Sequence, residues 1–219
     1  RVYITHAHPD HFLGNQAFAP DTLAALPGTI HGIHTEGGSS NANMYRLAGA
    51  WMAGTEPVAP IHPLAAGPLE LGGHQFELIA LEGHTGADLA ILDRSTGVLF
   101  AGDLIFHDRA PTTPHARLPA WQASLDTLEA LPFRHLVPGH GPVATDAGPI
   151  RQTRAWLGWL DHTLRQAADE GLDMTEALAL PLPADFRRLA VVDAEYRRSV
   201  GQLYPALEQQ ALRTGKARE

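Results

Sequence analysis

The sequence predicts an α/β fold, and three observations carry the prediction. Short apolar runs at residues 2–5, 76–81 and 98–101 have the length of strands and end near glycine, histidine or aspartate. Between and after them lie stretches whose apolar residues recur at helical spacing, the longest at 150–170. A chain of 219 residues, 44% of them hydrophobic, has enough apolar side chains for one domain with a sizeable core.

Taken in order, residues 2–5 read as a strand and 10–19 as a helix. Residues 29–34 read as a second strand, which feeds a glycine- and serine-rich loop at 37–41. In the helical run that follows, Met44, Leu47, Ala48, Trp51 and Met52 share a stripe, which is assigned to the core rather than to a lid over substrate. Pro57, Pro60 and Pro63 mark a surface loop. Strands are expected at 75–81, 89–93 and 97–101, with Arg94-Ser95-Thr96-Gly97 as a hairpin turn.

Residues 108–119 contain prolines and no periodicity, so they read as irregular. Pro119 then opens a helix with Trp121, Leu125 and Leu128 on one face. A short strand leads into Pro138-Gly139-His140-Gly141, and the 150–170 helix carries Trp156, Trp159, Leu160, Leu164 and Ala167 as its apolar stripe. Residues 174–180 and 191–212 are expected to be helical on either side of Pro181-Leu182-Pro183. This divides the chain into residues 1–150, which hold the chemistry, and a C-terminal helical segment, 151–219, packed on the same domain.

The chemistry begins in Thr5-His6-Ala7-His8-Pro9-Asp10-His11, three imidazoles and a carboxylate in one short stretch. Strand alternation would turn His6 and His8 to one side, where they can grip a single ion. Pro9 forces a bend, past which Asp10 and His11 can face a second ion. Imidazole and carboxylate without thiol suit zinc best, with iron or manganese as alternatives. Three later segments supply further donors near strand ends: Gly83-His84-Thr85-Gly86, Gly102-Asp103 and Gly139-His140-Gly141.

These four segments, in this order, resemble the metallo-β-lactamase-fold hydrolases over residues 1 to about 145. The resemblance implies an αββα sandwich in which His6, His8 and His84 hold one zinc, Asp10, His11 and His140 hold the other, and Asp103 bridges them. The Gly-Asp bridge is similar to that of the glyoxalase II and lactonase branches, and the lack of cysteine sets aside zinc β-lactamases with a cysteine ligand. A narrower similarity, to the quinoprotein relay and sulfur-oxidation-associated zinc metallohydrolases, rests on 12–18, 99–106 and Leu118-Pro119-Ala120-Trp121. In the family several strands precede the first motif, which here starts at residue 5. The expectation is therefore a sandwich lacking its N-terminal strands.

The implied activity is hydrolysis of a small ester, thioester, lactone or amide by a metal-bridging hydroxide. Asp10 is then both a ligand and the group that orients the water or takes its proton. True β-lactamase activity is one alternative, and a non-catalytic metal-binding or interaction protein is another. Thr5, Thr85 and Asp88 are candidates to accept ring N–H groups of ligand histidines. His107 and Arg109, just after the bridging acid, are candidate substrate contacts. His31, His34, His62, His74, His115, His135 and His162 match no ligand spacing and read as structural or exposed.

Lys and Arg number 16 against 24 Asp and Glu, a formal charge of −8, the opposite of what a nucleic-acid groove needs. Two divalent ions with two carboxylates and one hydroxide leave a site of about +1, which draws an anionic or carbonyl-bearing small molecule. No apolar run approaches the length of a membrane span. Oligomerisation is left open. The absence of cysteine says nothing about redox compartment, and the narrower resemblance favours the periplasm, with the cytoplasm as the alternative.

Overall fold

The computed structural model describes residues 1–215. In chain order the elements are β1 (Val2–Ile4), α1 (Pro9–Phe12), β2 (Leu23–Ala25), α2 (Pro27–Ala48), β3 (His62–Pro63), β4 (Gly67–Leu71), β5 (His74–Leu81), β6 (Asp88–Asp93), β7 (Val98–Phe106), α3 (Leu118–Glu129), β8 (His135–His140), α4 (Gly148–Asp169), α5 (Met174–Leu178) and α6 (Val192–Thr214). Two sheets form: a parallel one, ordered β1-β2-β3, and a mixed one, ordered β4-β5-β6-β7-β8.

Side-chain alternation along the strands sorts the apolar residues into the layers of an αββα sandwich. Tyr3 turns inward to the cluster of Leu26, Leu78 and Leu89 that joins the two sheets, while Val2 and Ile4 turn outward to Phe12, Leu13 and Ile33 of the α1 and α2 layer. On β6, Leu89 and Ile91 face between the sheets, and Ala90 and Leu92 face the larger core beneath α3, α4 and α6. That core also takes Val192, Tyr196, Val200 and Tyr204, a stripe at every fourth residue of α6, so the C-terminal helices share it with β6, β7 and β8. Three of its polar tips are satisfied: Trp121 Nε1 donates to the Leu104 carbonyl (2.9 Å), and the hydroxyls of Tyr196 and Tyr204 donate to the Ala177 and Leu172 carbonyls, whereas the buried Trp156 Nε1 has no hydrogen-bond partner. Among the described residues, no helix is long and apolar enough to cross a membrane.

The strand expected at 29–34 and the loop at 37–41 are instead the first two-thirds of the single helix α2. Glycine disfavours a helix by about 1 kcal/mol per residue, and packing overrides it here. A Cβ on Gly28 would lie 2.7 Å from the Ala87 Cβ, and one on Gly32 would lie 2.9 Å from that of Ala7, so the glycines let α2 approach the loops that carry the chemistry. Thr29 Oγ1 fastens the same face to the Ala87 carbonyl at 3.0 Å.

The stripe assigned to the core downstream does not form one. Met44 and Met52 pack against the Ile4 and Ile33 cluster, but Leu47 is exposed and Trp51 is 93% exposed, because the helix ends at Ala48 and a 3-10 turn swings Trp51 outward. The helix expected at 10–19 is one turn, α1, followed by a separate 3-10 turn at Asn15–Ala17. Strands β2 and β4 carry no long apolar run and escape sequence reasoning.

Candidate metal centre

The backbone brings four segments to one edge of the sandwich. His6 and His8 lie past the end of β1 in an irregular turn, so turn geometry, not the strand alternation expected from their spacing, aims them together. Pro9 starts α1, whose single turn presents Asp10 and His11. His84 stands in the loop after β5, and Asp88 braces that loop by accepting from the Thr85 backbone N–H (2.9 Å) and hydroxyl (2.7 Å). Asp103 lies within β7, not at its end as the sequence suggested. The strand continues to Phe106 through register shifts at Gly102, where φ is +53°. His140 closes β8, paired with Phe106, and its carbonyl accepts from the His107 N–H at 2.9 Å.

Gly139 is required for this approach. A Cβ there would overlap the Asp103 carboxylate and the backbone at Gly102 and Asp103.

The donors sort into two sets whose ligand atoms lie within 4.8 Å of one another: His6, His8, His84 and Asp103, all buried, and Asp10, His11 and His140, partly open to solvent. Asp103 reaches both sets. Its oxygens are 3.8 Å from His6 Nε2 and 3.4 Å from His84 Nε2 on one side, and 3.0 Å from His11 Nε2 and 3.3 Å from His140 Nε2 on the other. Asp10 lies 3.1 Å from His140 Nε2 and 3.5 Å from His11 Nε2.

Protonation divides along the same line. Burial, then the neighbouring His84, drives His6 well below the usual histidine range and His8 down to about 3, so both rings are neutral and keep a lone pair for a cation. Burial opposes charge on His11 too, yet Asp10 and Asp103 raise it to about 10, and hydrogen bonds to the same two carboxylates raise His140 to about 9. Both carboxyls are disfavoured by burial but held far below the usual range, Asp10 by His11 and His140, and Asp103 by His11, His140 and His84.

This donor set fits divalent ions. His6 Nε2 and Asp103 Oδ1 are buried without a hydrogen-bond partner, which proteins rarely tolerate unless something else occupies those lone pairs. Imidazoles crowd face to edge, with His6, His8 and His84 centroids 4.6–4.9 Å apart. The two carboxylates favour positive charge on His11 and His140, a balance that bound cations would supply in its place.

The surroundings differ in part from expectation. Thr5 Oγ1 lies 3.0 Å from His6 Nδ1 and can accept its ring proton, whereas Thr85 and Asp88 bond to each other and hold the loop rather than a ring. His107 uses Nδ1–H to donate to the Pro142 carbonyl at 2.6 Å, a staple between the loops after β7 and β8. Arg109 lies 3.8 Å from buried Glu195 of α6, which burial pushes up in pKa against the pull of Arg198 and Arg109.

His115, read from sequence as structural or exposed, meets the cluster: its Nδ1 is 3.0 Å from His8 Nε2. It sits in the irregular 107–117 segment, where no spacing could have signalled the contact. That segment is clasped by the C-terminal region. Ala110 N–H donates to the Ala190 carbonyl (3.1 Å), Ala190 N–H donates to the Asp108 carbonyl (2.9 Å), and Thr113 bonds to Ser199 (2.8 Å) and Gln202 (2.9 Å) of α6.

The family described as the Metallo-beta-lactamase superfamily matches residues 1–140. The chain belongs to the metallo-beta-lactamase superfamily. Solved structures of that superfamily share the architecture. A metallo-beta-lactamase family protein from Thermus thermophilus superposes with a TM-score of 0.66 at 19% identity, covering 95% of this chain and 74% of the other. A beta-lactamase domain protein from Burkholderia ambifaria gives 0.65 at 22% identity, covering 95% and 69%. A metallo-beta-lactamase from Pontibacter korlensis gives 0.51 at 20% identity, covering 71% and 67%. No curated protein matches the chain. The two broader superpositions extend beyond the family match into the helices after β8, so this part of the superfamily chain belongs to the shared architecture as well. The agreement reaches the superfamily and does not support the quinoprotein relay or sulfur-oxidation-associated branch.

Proposed function

We propose that this chain is a binuclear zinc hydrolase acting on a small ester, thioester, lactone or amide. The observation that carries the reading is the sorting of seven donors into a buried set of four and an open set of three, with Asp103 between them. Bound ions there supply Lewis acidity, acidifying a water and polarising a carbonyl oxygen.

The chain's own residues do the rest. His6, His8 and His84 would hold one ion, and Asp10, His11 and His140 the other, with Asp103 in reach of both. Asp10 is kept ionised by His11 and His140 and is about half exposed, so it faces incoming water and can take its proton and return it to the leaving group. Substrate enters over the open set, where Arg109 supplies positive charge for an anionic or carbonyl-bearing molecule and His107 holds the rim through Pro142. With an overall charge of −8, a small molecule rather than nucleic acid is the partner.

The test is elemental analysis with a panel of esters, thioesters, lactones and a chromogenic cephalosporin. About two zinc ions per chain are expected, with hydrolysis lost on chelation and in His8→Ala. A folded protein that binds no metal refutes the reading. Turnover confined to the cephalosporin would make it a β-lactamase, and bound metal without turnover of any substrate would make it a binding protein.

A further inference from the structure

His8 is held from both sides. Its Nδ1 faces the buried donor set, 2.8 Å from His84 Nε2, so its ring proton belongs on Nε2. There it points at His115 Nδ1, 3.0 Å away, which accepts it. His115 must then carry its own proton on Nε2, and that atom lies 3.3 Å from Glu36 Oε2. Each tautomer dictates the next, from the α2 carboxylate through two imidazoles to the lone pair on His8 Nδ1.

We propose that His115, backed by Glu36, is a positioning residue that sets the tautomer and orientation of His8 for metal binding. The inference rests on the metal-centre reading above. Two features of the fold deliver the pair. Glu36 lies one helical turn after Gly32, whose missing side chain lets α2 close on Ala7, between His6 and His8. His115 rides on the 107–117 segment that Ala190, Ser199 and Gln202 clasp, so it is not a free loop tip.

Magnitude separates this role from a structural one. The side chains of His115 and Glu36 are 48% and 55% exposed, and a polar pair so open to water contributes little to folding stability. Orientation of a ligand imidazole by an outer hydrogen-bond partner, by contrast, changes metal affinity by about 10–100-fold. A carboxylate at the end of such a chain also strengthens the lone pair that faces the ion.

The experiment is competition for zinc against a chromophoric chelator, with cobalt(II) absorption spectra, on the wild type, His115→Ala, His115→Gln and Glu36→Gln, each checked for native circular dichroism. His115→Ala is expected to weaken one ion by about tenfold or more and to shift the cobalt bands, leaving the second ion unchanged. His115→Gln, whose amide oxygen can accept from His8, is expected to recover most of the loss, and Glu36→Gln to fall between. Affinity in His115→Ala within about twofold of wild type, or Gln and Ala behaving alike, overturns the proposal. A wild type that binds no zinc refutes the metal centre itself, which distinguishes the two failures.

Discussion

The Phe106 ring lies flat on His140, with centroids 5.3 Å apart and planes 17° from parallel, across the pairing of β7 with β8. Phe106 is fully buried and its ring also approaches Trp121, so it joins the main core to the open half of the candidate metal centre. Phe106→Ala is expected to destabilise the protein by about 3–5 kcal/mol, as large aromatic truncations in a core do. It should also weaken metal binding at His140. Urea unfolding and chelator competition on the same variant measure the two effects. Unchanged metal affinity would show that the stacked ring does not set His140.

Gly139→Ala tests how closely β8 must approach β7. The added Cβ would overlap Asp103, so that carboxylate, the proposed shared ligand, has to move. Zinc affinity is expected to fall by at least about tenfold, read by chelator competition with circular dichroism as a check on folding. Normal affinity would mean the strand can shift without disturbing Asp103.

Of the site, the donor residue types were legible in the sequence because they fall in compact segments, His6 to His11 above all, whereas the allotment of His84, Asp103 and His140 came from the family resemblance. The route by which they meet was not. His6 and His8 are aimed by a turn rather than by strand alternation, and Asp103 sits inside a strand whose irregularity depends on Gly102. Of the fold, long elements with one apolar face, such as α4 and β5, could be read, whereas α2 could not, because Gly37-Gly38 reads as a breaker until Pro57 is seen packed against Gly37. His115 was illegible for a simpler reason: it touches His8 across more than a hundred residues of sequence.

Metal should stabilise the fold. If the ligands converge only in the native state, free zinc at about 100 times its dissociation constant adds about 2.7 kcal/mol. For a chain of this size each kcal/mol raises Tm by roughly 2–4 °C. Differential scanning calorimetry with and without chelator measures the shift, and a chelator-independent Tm would contradict it.

Asp93 predicts a pH dependence far from the metal centre. Burial raises its pKa, but hydrogen bonds from Thr96, His74 and the Ser95 N–H outweigh that and hold it at about 2. A carboxyl depressed in the folded state adds stability that is fully present above its unfolded pKa and is lost as pH falls through the folded value. Asp93→Asn is therefore expected to be less stable than wild type at pH 6, with the difference shrinking between the ordinary carboxylate range and about pH 2. Urea midpoints at the two ends of that window measure it. A constant difference would assign the effect to lost hydrogen bonds alone.

Trp51→Ala checks the misplaced stripe. A side chain 93% exposed should change stability by no more than about 0.5 kcal/mol on truncation. A loss of several kcal/mol in chemical denaturation would mean that Trp51 is packed in solution.

The clasp of α6 on residues 108–113 joins two stretches of the chain that differ in their relation to the donor cluster. The metal donors all lie within the family-matched residues 1–140, while the groups that hold the neighbouring loop, Ala190, Ser199 and Gln202, lie outside it. Substitutions in the C-terminal helix can therefore reshape the mouth of the site while every donor stays in place. The shape of the loop that carries His115 is thus set from a distance, by groups that take no part in the donor cluster.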